Sequence, residues 1–339
     1  MKISIVKKIL SIDGGGIRGI LSATIIANIE KRLRQEAKNP NLQIADCFDL
    51  LAGTSAGGIL VALYLTPDKE VDGKRPKYSA QEALDFYTEL GPILFKKSFG
   101  YFLRSVSGLI RSRYSEDALY SFSKKIIGDS YISEVMKDCL ITAYDLSSRK
   151  AVLFSKFATQ KYGDMADYKL CDIACSTSAA PSYFIPSQIF AKDNGARHLV
   201  DGGVYSANPS MCSLVEAIKI WPQEQISNFY MLSIGSGKAL KPYHYNKTKN
   251  FGYLHWLNPI LDILMASVAE TVDYQVEQIF TISGVPQNYI RIEPPMLTAD
   301  LKIDNASAKN IKKLICAAQH YIDHNDTLLD SICKSVINN

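Results

Sequence analysis

A serine flanked by glycines lies between two apolar segments of the chain. Residues 48–52 predict a strand and residues 59–63 predict a helix, and Gly53 and Gly57 bracket Ser55 between them. A serine on a sharp strand-to-helix turn has a strained backbone and needs small neighbours on both sides, which glycine provides. The helix that follows adds unpaired N–H groups near the hydroxyl. The pattern predicts a nucleophile elbow, with an ordinary glycine-rich turn as the alternative.

A run of three glycines lies near the start of the chain. The run from Gly14 to Gly16 follows a predicted strand at residues 8–12, and Arg18 comes two positions later. Backbone N–H groups that no side chain covers can form an anion-binding concavity, and the guanidinium adds positive charge. One candidate anion is a phosphate, because Gly14, Gly16 and Gly19 match the dinucleotide fingerprint G-x-G-x-x-G. The other is the oxyanion of an acyl-transfer intermediate. The fingerprint alone is weak, because no acidic residue stands at the tip of the next strand.

A serine nucleophile also needs a group that accepts its proton. Asp201 follows a predicted strand at residues 197–200 and precedes two glycines, which leave its carboxylate open to a second group. A structural Asp-Gly turn is the alternative. No histidine lies in a glycine-bounded turn at a strand end, and His198 is three positions short of one. The five histidines are His198, His244, His255, His320 and His324.

Composition places the chain among globular proteins. It has 339 residues, of which 47% are hydrophobic, and a formal net charge of +4, so we expect no nucleic-acid partner. Seven Cys without a C-x-x-C pair indicate free thiols in a reducing compartment. We expect no signal peptide, and no membrane span because Asp262 interrupts the most apolar helix. The predicted location is the cytoplasm with peripheral membrane contact, and a leaderless secreted bacterial effector is the alternative.

Predicted strands and helices alternate along the chain. This pattern favours an α/β fold with a largely parallel central sheet and helices on both faces. We expect a single domain over residues 1–339, with a motif-bearing core at 8–237 and a C-terminal helical portion at about 253–339. The predicted strands include residues 8–12, 140–144, 151–154, 197–200, 229–234 and 289–292, and the predicted helices include 80–90, 115–127, 170–179 and a stretch within 256–280.

The segment from Phe95 to Arg113 contains five basic residues and no acidic residue. As a helix it gathers its apolar side chains on one face and places Arg104 and Arg111 nearly opposite. It is therefore a candidate for peripheral contact with an anionic membrane. A core-packed helix with a solvated basic side is the alternative.

Three glycine-rich motifs together resemble the patatin-like phospholipases, a family of acyl hydrolases. They are DGGGIRG at residues 13–19, GTSAG at 53–57 and DGG at 201–203, and the likeness extends to 175–184 and 232–237. The resemblance implies a three-layer architecture related to the α/β-hydrolases. It also implies a catalytic dyad without histidine, in which Ser55 is the nucleophile and Asp201 the base. The oxyanion site implied by the family comprises Gly14, Gly15, Gly16 and Arg18.

The resemblance further implies hydrolysis of phospholipids or lysophospholipids through an acyl-enzyme, without a metal or other cofactor. Because the chain shows no secretory leader, we expect a bacterial-type member, and a protein activator is conceivable. For Asp201 to act as a base at neutral pH, its carboxylate should be buried, because burial raises the pKa toward neutrality. Two alternatives stay open: a nucleotide-binding oxidoreductase that uses the glycine loop, and a catalytically inactive lipid-binding protein.

Overall fold

The computed structural model describes residues 6–71, 73–96, 112–115, 117–238 and 242–338. Its strands are β1 (Lys7–Ile12), β2 (Leu50–Thr54), β3 (Asp138–Asp145), β4 (Lys150–Ser155), β5 (Ser187–Phe190), β6 (Ala196–Asp201), β7 (Phe229–Ile234) and β8 (Tyr289–Ile292). Its α-helices are α1 (Gly19–Glu36), α2 (Ile44–Cys47), α3 (Ala56–Leu65), α4 (Ala80–Leu94), α5 (Asp117–Ile127), α6 (Lys156–Tyr162), α7 (Leu170–Thr177), α8 (Ser210–Ile220), α9 (Tyr245–Thr248), α10 (Tyr253–Ile282), α11 (Ala308–His324) and α12 (Asp326–Asn338).

The described strands form one sheet in the order β5-β6-β3-β2-β1-β7-β8, with β4 also paired to β3. The five strands from β3 to β8 in this order run parallel, which confirms the predicted largely parallel sheet. The other edge is antiparallel, because β4 and β6 both pair with β3 in that sense and β5 pairs with β6. Strand β5 was not predicted, because its four residues are too few to show a clear period in the sequence.

Helices cover both faces of this sheet. Successive residues of a strand point to opposite faces. On β1, Ile9 packs in a cluster with Val276 and Phe280 of α10, whereas Leu10 belongs to a larger cluster that includes Ile25 of α1. The predicted three-layer arrangement is therefore confirmed.

The motif residues follow strands whose ends are in register. Ile12 at the end of β1 pairs with Gly53 of β2 and with Ile234 of β7. The loops after these three strands therefore lie together at the carboxyl ends of the parallel strands. On the neighbouring strand β3, Thr142 pairs with the end of β2 and the next residue pairs with Asp201. The antiparallel edge thereby brings the end of β6 next to the end of β2.

Some of the other expectations can be compared with the described residues, and the rest stay predictions. All seven Cys are free thiols, as predicted. Among the described residues, no helix combines the length and apolarity needed to cross a bilayer. Most of the segment from Phe95 to Arg113 lies outside the described residues, so its proposed membrane contact stays a prediction. The single-domain division also stays a prediction, although β8 in the last third of the chain pairs directly with β7.

Candidate active site

Ser55 lies at the turn between β2 and α3 with a backbone conformation that is rare outside glycine. Its φ is 53° and its ψ is −119°, and the side chain is 6% exposed. Helix α3 begins at the next residue, so its first N–H groups lack partners within the helix. This is the strained strand-to-helix turn that the sequence predicts for a nucleophile elbow.

The glycines on both sides of Ser55 permit a close backbone approach. A Cβ on Gly53 would lie 2.3 Å from the carbonyl oxygen of Gly57, and a Cβ on Gly57 would lie 2.1 Å from that of Ile12. Both separations are far below van der Waals contact. Glycine is thus required at both positions for β1, β2 and α3 to meet as they do.

We expect Gly57→Ala to destabilise the fold, because its methyl group would overlap rigid backbone rather than a flexible side chain. The expected loss in the free energy of unfolding is about 1–3 kcal/mol or more. Gly252→Ala is the matched control, since a Cβ at Gly252 meets no atom within 4 Å. Thermal and denaturant unfolding of the two variants measure the difference. Equal stability of the two would show that the elbow tolerates a side chain.

Asp201 ends β6 and is almost fully buried, with 5% exposure. Burial raises the pKa of its carboxyl group to about 6, against lowering contributions from hydrogen bonds with the Ser55 side chain and the Gly203 N–H. The Gly203 N–H donates at 2.7 Å, so the predicted Asp-Gly turn is also present. The turn fixes the carboxylate and the burial makes it a stronger base at neutral pH.

The end of α7 and the loop that follows it hold the backbones of Ser55 and Asp201. The Ser55 N–H donates to Thr177 Oγ1 at 2.8 Å, and the Asp201 N–H donates to the carbonyl oxygen of Ala179 at 3.0 Å. These contacts span more than a hundred residues for Ser55, and sequence reasoning did not assign them. Both contacting residues lie in the stretch CSTSAAP at 175–181, which belongs to the family resemblance.

The glycine loop after β1 faces the same site. The Gly14 N–H donates to the carbonyl oxygen of Ala207 at 2.9 Å, so this amide is not available to an oxyanion. Gly15 and Gly16 have N–H groups with no acceptor among the described residues. Arg18 is 8% exposed, and burial lowers the pKa of its guanidinium below the ordinary value. A role for Gly15, Gly16 and Arg18 at an oxyanion stays a prediction.

Three contacts fix the glycine loop from parts of the chain that sequence reasoning left unassigned. The Tyr87 hydroxyl of α4 donates to the carbonyl oxygen of Gly16 at 2.7 Å. The carbonyl oxygen of Ile303 accepts from the N–H of the residue before Arg18 at 2.9 Å. Arg291 of β8 donates to both oxygens of Asp13 at 2.9 and 2.6 Å. The sequence holds one sign of this contact. Arg291 and Glu293 are two positions apart, and strand alternation places their charged side chains on one face.

Ser55 and Asp201 open into a cavity of about 590 Å³, within the range of about 300–1,000 Å³ that is usual for small-molecule sites. Its walls are largely apolar and include Leu94, Phe95 and Phe184. A cavity of this volume with largely apolar walls can hold a hydrocarbon chain.

None of the five histidines is among the described residues that line this cavity. His198 lies on β6 with its ring nitrogens near Ser147 Oγ at 2.8 Å and Gln188 Nε2 at 3.1 Å, on an exposed part of the strand. Asp201, whose carboxyl pKa the Ser55 side chain lowers, is therefore the candidate proton acceptor for Ser55. Among the described residues, no three His, Cys, Asp or Glu side chains are grouped so as to hold a metal ion.

Comparisons with known proteins agree with the motifs. The sequence model described as "Patatin-like phospholipase" matches residues 10–211. "Patatin-like protein 2" of Oryza sativa subsp. indica is 32% identical, covering 95% of this chain and 85% of the relative. "Patatin-like protein 3" of Arabidopsis thaliana is 31% identical, covering 91% and 78%. "Probable inactive patatin-3-Kuras 1" of Solanum tuberosum is 30% identical, covering 93% and 86%.

A solved structure also aligns with the chain, namely the crystal structure of VipD from Legionella pneumophila. The alignment has a TM-score of 0.35 and 14% identity, and it covers 94% of this chain and 67% of that one. A likeness this low carries no argument about function. The three relatives named above are plant proteins, and the expectation of a bacterial-type member stays a prediction.

Proposed function

The chain belongs to the patatin-like phospholipase family, and on that premise we propose that it hydrolyses acyl esters of lipids with Ser55 as nucleophile and Asp201 as general base. The observation that carries the proposal is the position of the two residues. A strained elbow presents a serine hydroxyl toward a buried carboxylate, and the Ser55 side chain is close enough to lower the pKa of the Asp201 carboxyl group. Both lie at the wall of an apolar cavity.

The first half of the reaction forms an acyl-enzyme. Ser55 Oγ attacks the ester carbonyl carbon while its proton passes to the Asp201 carboxylate, and the carbonyl oxygen becomes an oxyanion. The N–H groups of Gly15 and Gly16 and the Arg18 guanidinium are the donors proposed to stabilise that charge. When the tetrahedral intermediate collapses, the bond to the alcohol oxygen breaks and Asp201 returns the proton to the leaving alcohol.

The second half releases the fatty acid. A water molecule attacks the acyl carbon, Asp201 accepts a proton from it, and the Ser55 ester bond breaks as the proton passes to Ser55 Oγ. Asp201 thus serves as base in one step and acid in the next. A carboxyl group with a pKa of about 6 suits both duties near neutral pH better than one with the ordinary value of 3.8.

The raised pKa of Asp201 predicts the pH dependence of activity. Because the base must be ionised, kcat/KM for a soluble short-chain ester should be full above about pH 7 and fall about tenfold per pH unit below about pH 6. A pH-rate profile measures this acid limb. The residual activity of Asp201→Asn should lack it. If the loss of activity at low pH persists in Asp201→Asn, the group that titrates is another acid, such as Asp13.

The substrate proposed is a membrane phospholipid or lysophospholipid. The apolar cavity fits an acyl chain, and the family to which the chain belongs is named for phospholipase activity. The test is fatty-acid release from phospholipid vesicles and from a soluble short-chain ester, with EDTA present. Release from both substrates supports the proposal. A folded protein that releases fatty acid from neither would favour the inactive lipid-binding alternative, which the name of one relative illustrates.

A further inference from the structure

The glycine loop after β1 has little stiffness of its own, because three consecutive glycines allow a wide range of backbone conformations. Donors for an oxyanion lower the barrier most when their direction is fixed before the reaction begins. The donors proposed above include the N–H groups of Gly15 and Gly16, which have no acceptor among the described residues. The contacts that hold the other backbone groups of the loop therefore decide where these two N–H groups point.

Ser236, in the loop that follows β7, holds the first peptide of the glycine loop. Its Oγ donates to the carbonyl oxygen of Gly14 at 2.7 Å, and the residue is 6% exposed. A Cβ on Gly15 would lie 2.3 Å from this Oγ, so the hydroxyl packs directly against the loop. The carbonyl group and the N–H group of a planar trans peptide point in opposite directions. The hydrogen bond to the Gly14 carbonyl therefore directs the Gly15 N–H away from Ser236.

Tyr87 of α4 holds the last peptide of the loop. Its hydroxyl donates to the carbonyl oxygen of Gly16 at 2.7 Å. The N–H group of the same peptide belongs to Ile17 and donates to the carbonyl oxygen of Ile303 at 2.9 Å. This peptide is therefore held on both sides, which fixes Gly16 in its left-handed conformation with a φ of 56°.

The peptide between these two is held by the chain that follows it. The carbonyl oxygen of Gly15 accepts from the N–H of Arg18 at 3.1 Å, so the Gly16 N–H on the other side of this peptide points away from that contact. All three carbonyl groups of the loop thus accept hydrogen bonds inside the protein. Ser236 and Tyr87 supply the side-chain hydroxyls at its two ends.

The loop held in this way lies beside the nucleophile. A Cβ on Gly14 would lie 3.3 Å from the Cβ of Ser55, and Gly16 lines the catalytic cavity together with Ser55. Neither holding hydroxyl can donate to the oxyanion itself, because a hydroxyl has one hydrogen and a loop carbonyl accepts it. Ser236 lines an adjoining cavity and is not among the described residues that line the catalytic one.

We propose that Tyr87 and Ser236 are positioning residues of the oxyanion site. Their hydroxyls act through the glycine loop: they hold the carbonyl groups of Gly16 and Gly14, and the N–H groups of Gly15 and Gly16 stay directed at the carbonyl oxygen of the ester as it becomes an oxyanion. This inference rests on the proposed function and adds two residues that the reaction needs without contact to the reacting atoms.

The test removes each hydroxyl without changing the rest of the side-chain framework. In Tyr87→Phe and in Ser236→Ala, kcat/KM for a soluble short-chain ester should fall about tenfold. This loss is smaller than the roughly 10²–10³-fold loss that follows removal of an oxyanion donor, because the donors remain and only their direction is less well fixed. Steady-state kinetics measure the loss, and thermal unfolding of the same samples shows that the variants are folded.

Two control variants remove hydrogen bonds of the same kind elsewhere. The Tyr78 hydroxyl donates to the carbonyl oxygen of Ile126 at 2.8 Å, and Ser213 Oγ donates to that of Ser210 at 2.8 Å. Neither Tyr78 nor Ser213 is among the described residues that line the catalytic cavity. Tyr78→Phe and Ser213→Ala should therefore keep the wild-type kcat/KM, although each also loses a hydroxyl bonded to a backbone carbonyl.

A pair of inhibitors separates positioning from a general effect on structure. A short-chain trifluoromethyl ketone resembles the transition state, because Ser55 Oγ adds to its carbonyl carbon, the proton passes to Asp201 and the carbonyl oxygen becomes an oxyanion. An ether analogue of the ester has no carbonyl and resembles only the bound substrate. In Tyr87→Phe and Ser236→Ala the ketone should bind more weakly by the factor that kcat/KM loses, and the ether should bind as it does to the wild type.

The outcomes distinguish this inference from the proposed function. Weaker ketone binding with unchanged ether binding in both variants, and wild-type values in both controls, supports the positioning role. An unchanged kcat/KM in Tyr87→Phe and Ser236→Ala, an equal loss in the controls, or an equal loss for ketone and ether would overturn it while hydrolysis by the wild type retains the proposed function. A folded wild-type protein that neither hydrolyses the ester nor binds the ketone would reject both.

Discussion

Ser55→Ala is expected to abolish acyl hydrolysis, with a loss in kcat of about 10⁴-fold or more. In the proposed mechanism this hydroxyl forms the covalent bond, and the strained elbow holds no substitute for it. The variant should fold, because alanine removes one buried hydroxyl and leaves the backbone hydrogen bond to Thr177 in place. Fatty-acid release and a thermal unfolding curve of the same sample measure both outcomes.

Ser178→Ala is the matched comparison for the nucleophile. Ser178 lines the same cavity, and its buried hydroxyl has no hydrogen-bond partner among the described residues. It is therefore a serine in the right place without an activating base. The Ser178→Ala variant should keep turnover far above that of Ser55→Ala. If Ser178→Ala is less active than Ser55→Ala, the nucleophile is Ser178 and not Ser55.

Asp201→Asn is expected to lower kcat by about 10²–10⁴-fold, as is typical when a general base is lost. Asparagine retains the size of the side chain and an oxygen that accepts from the Gly203 N–H. It no longer accepts the proton of Ser55. Steady-state kinetics with the short-chain ester measure the loss. His198→Ala is the control. If Asp201→Asn is active and a folded His198→Ala is inactive, the base is His198, as in an ordinary Ser-His-Asp triad.

The same substitution should stabilise the fold at neutral pH. A carboxyl group with a pKa of about 6 in the folded chain and near 3.8 in the unfolded chain is stabilising only in its protonated form. Its ionisation costs the folded state up to about 3 kcal/mol as the pH rises from below 4 to above 6. Asparagine carries no charge and avoids this cost. A lower turnover together with a higher thermal midpoint at pH 7 distinguishes loss of a base from a general loss of structure.

The local parts of the site could be predicted from the sequence. Gly53, Ser55 and Gly57 form the elbow with their nearest neighbours in the chain, and the spacing of glycines between a strand and a helix carries that information. Asp201 at a strand end before two glycines is local in the same sense. The ends of the strands that precede both motifs were predicted to within two residues.

The contacts that join distant segments could not be predicted. The hydrogen bond from Ser55 to Thr177 spans 122 residues, and the ion pair between Asp13 and Arg291 spans 278. Each depends on the strand order of the sheet, in which β1 lies between β2 and β7. Local periodicity does not specify that order. For the same reason, the hydrogen bond from the Gly14 N–H to the carbonyl oxygen of Ala207 could not be predicted.

The central claim is that Ser55 is a nucleophile activated by Asp201. Its most direct test is the reaction of the folded wild-type protein with a fluorophosphonate, followed by mass spectrometry of the digested chain. The dyad predicts one adduct per chain, on the peptide that contains Ser55, with labelling that slows strongly in Asp201→Asn. An adduct on a different residue, or labelling of Ser55 at an unchanged rate in Asp201→Asn, would contradict the dyad.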